Sequence, residues 1–316
     1  PLTDRQEQLL AVAQSQPGCI PYENRRPIRV TGPLSGKPLI EILEAIYPFA
    51  DRTYWEDIAR ERLLEVNGIP ADLAQSVRCG EKVERLVPDT TEPEINPNIG
   101  VVFEDDDLLI INKPAPLPIH PCGRYNKHSV TGLAKIAWPE LYLRPAHRID
   151  ADTTGLAVFT KHRKAAGIVQ FQFEKQAIKK AYLTRVEGLP TATSFVVDAP
   201  ISPKADRMGL RKTCPDGQAA VTEFDVLSDC GNNTAIVEAR PLTGRTNQIR
   251  IHLQNAGHPI VGDGAYGSTP ELVTGFTSEF MRLHLHAWKV SFTHPSTDSL
   301  VQFETPLPDW AKPFFP

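Results

Sequence analysis

Ten consecutive residues, His147-Arg148-Ile149-Asp150-Ala151-Asp152-Thr153-Thr154-Gly155-Leu156, gather an imidazole, a guanidinium, two carboxylates and two hydroxyls in one polar stretch. It feeds the apolar run Leu156-Ala157-Val158-Phe159-Thr160, which reads as a buried strand. Polar turns carried by a rigid strand are where function collects. Four chemistries compete for Asp150. It could make a local Asx turn or an ion pair with Arg148. It could open a calcium loop, since Asp150-x-Asp152-x-Thr154-Gly155 matches the first half of an EF-hand; but Lys161 stands where that loop needs a bidentate Glu. It could share general acid–base work with Asp152. Or it could be a carboxylate nucleophile, which needs a nearby cation to keep it ionised and positioned.

A second polar turn, Arg240-Pro241-Leu242-Thr243-Gly244-Arg245-Thr246-Asn247-Gln248-Ile249-Arg250-Ile251-His252-Leu253, passes from a strand into a helix. Ile249, Leu253 and Ala256 can face a core, while Asn247 and Arg250, three apart, share another face. A helix start bearing Thr246 and Asn247 beside Arg245 is suited to phosphate. A solvated basic helix is the plainer reading of the same residues.

Taken in order, the segments resemble the RluA-type pseudouridine synthases. They are Asp107-Leu108-Leu109-Ile110-Ile111-Asn112-Lys113-Pro114, His147-Arg148-Ile149-Asp150-x-x-Thr153-x-Gly155-Leu156, Lys180-Ala181-Tyr182, Thr243-Gly244-Arg245-Thr246-x-Gln248-Ile249-Arg250-x-His252, His258-Pro259-x-x-Gly262-Asp263-x-x-Tyr266-Gly267 and Leu285-His286-Ala287. The resemblance covers roughly residues 100–310, and several motifs in order are far more specific than one. It implies that Asp150 attacks a target uridine at C6 of the base or C1′ of the ribose, and that the freed uracil rejoins through C5. Arg148 would hold a flipped-out nucleotide, since the reactive atoms are inaccessible in a stacked helix. Tyr182 would stack on the uracil, and Arg250 would pair with Asp150. His147, Lys113, Arg124, Arg245, Thr246, Asn247, Arg211 and Lys212 are the further residues expected to meet substrate or RNA. No metal, organic cofactor or nucleotide cofactor is implied; the partner is RNA, ribosomal or transfer. The family usually carries His where Asn247 stands and often Ser where Thr154 stands, which points to altered RNA contacts with the chemistry kept.

Weaker signals stand beside these. Gly262-Asp263-Gly264-Ala265-Tyr266-Gly267 satisfies the dinucleotide pattern but lacks the long strand before it and the helix after it. His252, His284 and His286 suggest a metal only until their spacing is compared with known ligand sets. Lys204, Arg207, Arg211 and Lys212 form a basic loop that fits a solvated surface or an RNA clamp equally well. Pro118 to Tyr125 is a stiff loop carrying Arg124, similar to one in the branch of the family that includes transfer-RNA enzymes. A non-catalytic RNA-binding or ribosome-assembly factor on the same fold is the competing class. Intact Asp150, Tyr182 and Arg250 speak against it.

These side chains need a scaffold, and the periodicity predicts one. Strands are predicted at 108–112, 155–160, 178–187, 219–227, 234–240 and 283–293, and helices at 129–137, 162–174 and 246–256. Helix and strand without a strict βαβ rhythm indicate an α+β fold with a mixed, mostly antiparallel sheet flanked by helices. The resemblance makes this the pseudouridine synthase fold. Ahead of it, Thr3-Asp4-Arg5-Gln6 reads as a capping box for a first helix, and residues 16–37 read as loop. Thr53 to Glu56 is a second capping box, and Leu64-Glu65-Val66-Asn67-Gly68-Ile69 a strand with a turn. The predicted layout is therefore a helix-and-loop extension over 1–35, a small α/β domain over 36–90, a proline-rich linker over 91–99 and a catalytic domain over 100–316. The small domain faintly resembles the alpha-L RNA-binding domain. Its helix mixes Glu56, Asp57 and Glu61 with Arg60 and Arg62, so it reads as a possibly degenerate version.

Composition bounds the answer. At 316 residues, 41% apolar and 23% charged, the chain can bury a sizeable core. No run approaches the ~18 apolar residues of a membrane span, and the first residues lack a basic-then-apolar signal pattern. A formal charge of −4 disfavours a nucleic-acid coat protein without excluding local basic patches. Five scattered cysteines, with no Cys-x-x-Cys, suggest free thiols and a cytoplasmic protein. A monomer is expected.

Overall fold

The computed structural model describes residues 4–15, 21–206, 209–267 and 282–315; Thr3, Cys19 and Arg207 lie outside them. The chain forms two units. One comprises residues 17–92, and the other joins residues 1–16 to residues 93–316.

In the small unit β1 (Tyr22–Ile28), β2 (Leu64–Val66), β3 (Ile69–Pro70) and β4 (Val83–Thr90) form an antiparallel sheet in the order β1-β4-β2-β3. The helices α2 (Leu39–Ile46) and α3 (Arg52–Arg60) pack Leu39, Ile42, Leu43 and Trp55 into a core with Leu64, Val77 and Val83. Three local readings are corrected here. Tyr22–Ile28 is a strand, although residues 16–37 read as loop. Its Tyr-Glu-Asn-Arg-Arg-Pro-Ile sequence buries only Asn24 and Ile28, so no apolar alternation marks it. Asp51, not Thr53, caps α3, its Oδ1 accepting from the Tyr54 N–H at 2.9 Å. The expected 1–35 extension is also divided, since α1 (Asp4–Ser15) belongs to the large unit. There Arg5 donates to Glu104, and the Trp138 indole donates to Gln8 at 2.6 Å.

The large unit is built on a ten-stranded sheet. Its strands are β5 (Gly100–Glu104), β6 (Leu108–Lys113), β7 (Arg144–Pro145), β8 (Thr154–Thr160), β9 (Lys179–Glu187), β10 (Ser194–Val197), β11 (Thr222–Asp229), β12 (Thr234–Pro241), β13 (Leu285–Thr293) and β14 (Leu300–Glu304). The order β10-β11-β12-β9-β13-β8-β6-β5 is antiparallel throughout except for the parallel pair β13–β8, with β7 and β14 paired at the side. This is the mixed, mostly antiparallel α+β arrangement expected. The helices α4 (Val130–Ala137), α5 (Arg163–Glu174) and α6 (Gln248–Asn255) accompany it. β6 and β8 are buried almost end to end, as their unbroken Leu-Leu-Ile-Ile and Leu-Ala-Val-Phe runs require.

Register matters most at the centre. Gly155 of β8 lies opposite Ala287 of β13, which lies opposite Tyr182 of β9. A Cβ on Gly155 would come within 2.2 Å of the Ala287 carbonyl, and its φ of +102° is left-handed, so glycine alone fits. The loop that precedes β8 is thus held two strands from Tyr182, about 10 Å away at 4.8 Å per strand.

Candidate active site

A cleft of about 490 Å³ opens beside this junction. Its floor is one face of β9, where Lys180 and Tyr182 alternate inward, with Ile178 just before the strand. One wall is the turn before β8, with His147, Arg148 and Asp150. The opposite wall is the β12–α6 turn, with Arg245, Asn247 and Arg250, and the end of α5 forms the rim.

Asp150 and Arg250 meet across the cleft, the guanidinium Nη1 donating to Asp150 Oδ2 at 3.1 Å over a separation of 100 residues. The other edge of Arg250 is clamped by Asp263, with Nε and Nη2 each donating at 2.7 Å to the two carboxylate oxygens. Asp263 is buried, and its Oδ1 also accepts from the Ala265 and Tyr266 N–H groups. Gly262 permits this turn, for its φ is +77° and a Cβ would come within 2.2 Å of the Arg282 carbonyl. The Tyr266 ring packs 5.0 Å from the guanidinium carbon, and its hydroxyl accepts from Asn247 Nδ2 at 3.2 Å. Burial alone would lower the pKa of Arg250, but the Asp263 and Asp150 carboxylates outweigh it and raise the value. The cation is therefore permanent, and Asp150 is the more open of its two carboxylate partners, with its side chain 27% exposed.

The turn is braced by Gln248. Its Oε1 accepts from Thr243 Oγ1 at 2.7 Å and the Arg245 N–H at 2.9 Å, and its Nε2 donates to the Val221 carbonyl and Thr222 Oγ1, both at 2.9 Å. All four positions of a buried amide are satisfied. The helix starts at Gln248, two residues later than predicted, because Asn247 is left-handed with φ +58° and makes no side-chain cap. Of the two residues expected to meet phosphate at the helix start, Asn247 lines the cleft and Thr246 does not. Asn247 bridges Arg250 and Tyr266.

His147 stacks on Phe173 at 5.1 Å, and its Nε2 accepts from the Val158 N–H at 3.1 Å. Burial, with the Lys180 charge adding to it, pushes its pKa down to about 3, so the ring is neutral. Burial, reinforced by the Asp150 charge, raises the Tyr182 phenol above its ordinary value. Arg148 is exposed at the cleft edge.

The remaining predicted residues lie elsewhere. Lys113 is fully buried, where it donates to the Pro114 carbonyl at 2.8 Å and the Ala151 carbonyl at 3.0 Å. It ties the end of β6 to the Asp150 loop and offers no surface to RNA, which corrects its expected role. Burial pushes its pKa down to about 7, against the pull of Asp152 and Asp150. Arg124, Arg211 and Lys212 do not line the cleft, although the Arg211 N–H donates to the Tyr266 hydroxyl and so ties its loop to the wall behind Arg250. Asp263, Gln248 and Lys180 are the site groups that the sequence reading left without a role. All three stood inside quoted motifs, but the groups they meet are distant in the chain.

His252, His284 and His286 each have separate partners. His252 meets Thr222 and Ala199, His286 meets Thr154 and Thr305, and His284 stacks on Trp310. Among the described residues a group with ligand spacing is formed by Asp105, Asp107 and His294. These lie at the other end of the strands from Asp150, before β6 and after β13.

A family model described as RNA pseudouridylate synthase matches residues 107–255. The chain is 36% identical over 244 residues to an uncharacterized RNA pseudouridine synthase, YhcT, of Bacillus subtilis, covering 73% of this chain and 77% of that one. It is 34% identical over 302 residues to ribosomal large subunit pseudouridine synthase D of Nitrosomonas europaea, covering 91% and 86%. Among solved structures, human RNA pseudouridylate synthase domain containing 1 is similar with a TM-score of 0.57 and 25% identity, over 70% of this chain and 89% of that one.

Proposed function

The chain belongs to the RNA pseudouridylate synthase family and is an RNA pseudouridine synthase, and we propose that it isomerises a uridine of ribosomal or transfer RNA with Asp150 as nucleophile. The observation that carries the reading is the Asp150–Arg250 contact at 3.1 Å, made in a cleft that also presents Tyr182. A carboxylate that accepts from a clamped guanidinium is held in one aim. Asp150 attacks the uridine, the glycosidic bond breaks, and the uracil turns and rejoins the ribose through C5. The C5 proton is then lost, N1 takes up a proton and the Asp150 carboxylate is released unchanged, so substrate and product have the same composition. Tyr182 stacks on the base while it turns, a contact worth ~1–3 kcal/mol. Its raised pKa keeps the phenol protonated, so it is a stacking and donor group near neutral pH. Arg148, exposed where it lines the cleft, helps to hold the flipped-out nucleotide.

On this reading the enzyme acts as a cytoplasmic monomer without a nucleotide cofactor. No helix among the described residues is long and apolar enough to cross a membrane. The small unit of residues 17–92 is read as an alpha-L-like, partly degenerate RNA-binding domain: Arg25, Lys82, Arg52 and Arg60 are paired with its own carboxylates, while Arg26, Arg29, Lys37, Arg62 and Arg78 are exposed.

Chemical mapping of pseudouridine in total RNA from cells with and without the gene tests the proposal. A modified position that vanishes with the gene, returns with the wild-type protein and stays absent with Asp150→Asn supports it. Pseudouridine formed by Asp150→Asn removes Asp150 as nucleophile.

A further inference from the structure

Lys180 lies on the floor of the cleft, two residues before Tyr182 and on the same face of β9. Its ammonium is largely buried between the β12–α6 turn and His147, whose pKa it helps to lower. The hydrogen bond it makes is long, 3.4 Å to the Thr243 carbonyl. No carboxylate pairs with it among the described residues; Glu174, the acid at the cleft rim, does not, and burial alone lowers its pKa, to about 8. Arg250, the other cation of the inner cleft, is held by two carboxylates. Arg245 has turned its Nε to the Ala219 carbonyl, 3.0 Å away.

A buried ammonium without a counter-ion is costly, and the cost is recovered when an anion arrives. Substrate brings such an anion on both sides of every nucleotide. Along β9 the Lys180 position is about 7 Å from Tyr182, a distance within the reach of one nucleotide. A uracil carbonyl is the other acceptor nearby, but it carries only a partial charge and would leave the ammonium without its ion pair. We propose that Lys180 is the docking group for an RNA backbone phosphate flanking the uridine that is isomerised, and that its ion pair forms only with substrate. The inference rests on the reading of this cleft as the uridine site.

The test uses a synthetic stem-loop carrying the mapped uridine, with the phosphates around it replaced one at a time by neutral methylphosphonates. Formation of pseudouridine in the unmodified stem-loop by wild-type protein is measured first. Its absence strikes the functional reading itself, and the inference falls with it. With turnover established, one flanking substitution is expected to weaken wild-type binding about tenfold. Lys180→Met should lose the same factor on unmodified RNA and nothing further on the modified one. The slope of log affinity against log salt should fall by about 0.7–0.9 for the variant, the value of one phosphate contact, and Lys180→Arg should keep the wild-type slope. A wild-type slope in Lys180→Met together with an undiminished methylphosphonate penalty overturns the inference. So does a fall in kcat at unchanged affinity and slope, which is the signature of a contact to the base. Should Lys180→Met fail to melt cooperatively, the scan on wild-type protein decides alone: indifference to every flanking methylphosphonate overturns the inference.

Discussion

Asp263 grips the side edge of Arg250 with two hydrogen bonds of 2.7 Å and leaves one Nη1 hydrogen for Asp150 at 3.1 Å. The guanidinium is thus a hinge pin between a buried structural carboxylate and an open reactive one. Its position is set by Asp263, since a fork held at one end has a single orientation at the other.

Asp263→Asn keeps the shape of the clamp and the acceptor for the Ala265 and Tyr266 N–H groups but removes its charge. Breaking a buried pair of this kind costs roughly 3–5 kcal/mol when one partner is deleted, and the amide should lose a part of that. Thermal melting should therefore shift down while remaining cooperative. The single-turnover rate should fall about a hundredfold with KM nearly unchanged, because a misaimed nucleophile is a positioning defect. A variant with lowered stability and wild-type kcat would show that Asp263 serves the fold alone.

The parts of this site that could be read from the sequence are those whose signal is local. Leu108 to Ile111 and Leu156 to Phe159 announce central strands because both faces of each are buried. Asp150 and Tyr182 follow from motifs at or near the ends of such strands. β1, β10 and β14 left no trace, since they lie on the periphery of their sheets with mostly exposed or half-exposed side chains. The resemblance alone places Lys113 among the residues that meet RNA. Its burial comes from the Asp150 loop folding over it, a closure across 38 residues. The Arg250–Asp263 clamp spans 13 residues and a left-handed turn, and no periodicity encodes it.

Tyr182 separates stacking from proton transfer. Tyr182→Phe preserves the ring and should bind RNA as the wild type does, while Tyr182→Leu should lose about ten- to a hundredfold in affinity or turnover, the equivalent of ~1–3 kcal/mol. Burial and the Asp150 charge both raise the phenol pKa, so the wild-type rate should show no tyrosinate limb between about pH 7 and 10. A rise in rate over that range that disappears in Tyr182→Phe would show that the phenolate is the reactive form.

Gln248 should be more sensitive than its distance from the chemistry suggests. Gln248→Leu leaves the Thr243 hydroxyl, the Arg245 N–H, the Val221 carbonyl and the Thr222 hydroxyl without the amide that joins them. The Val221 carbonyl, the Thr222 hydroxyl and the Thr243 hydroxyl keep the Leu242 N–H, His252 and the Val221 N–H as partners, so the Arg245 N–H is the group left unpaired, and denaturant unfolding should register a loss of about 1–3 kcal/mol. Wild-type stability in this variant would mean that the turn is held by its backbone alone.

Lys113 ties stability to pH with a sign opposite to that of a paired cation. Its pKa is about 7 in the folded chain, below the ordinary lysine value of about 10.4 in the unfolded one. Below about pH 7 both states hold the proton, and the folded state carries the whole cost of the buried ammonium, on the order of 4 kcal/mol. Between about pH 7 and pH 10.4 the unfolded chain holds the proton and the folded chain releases it, so stability rises with pH across that window. Lys113→Met removes the titration while also freeing the Pro114 and Ala151 carbonyls. The stability difference, wild type minus variant, should therefore increase as the pH is raised from 6 to 10, as measured by urea unfolding at each pH. A difference that stays flat would mean that Lys113 keeps its proton in the folded enzyme, held by the two carbonyls and the nearby Asp150 and Asp152 charges.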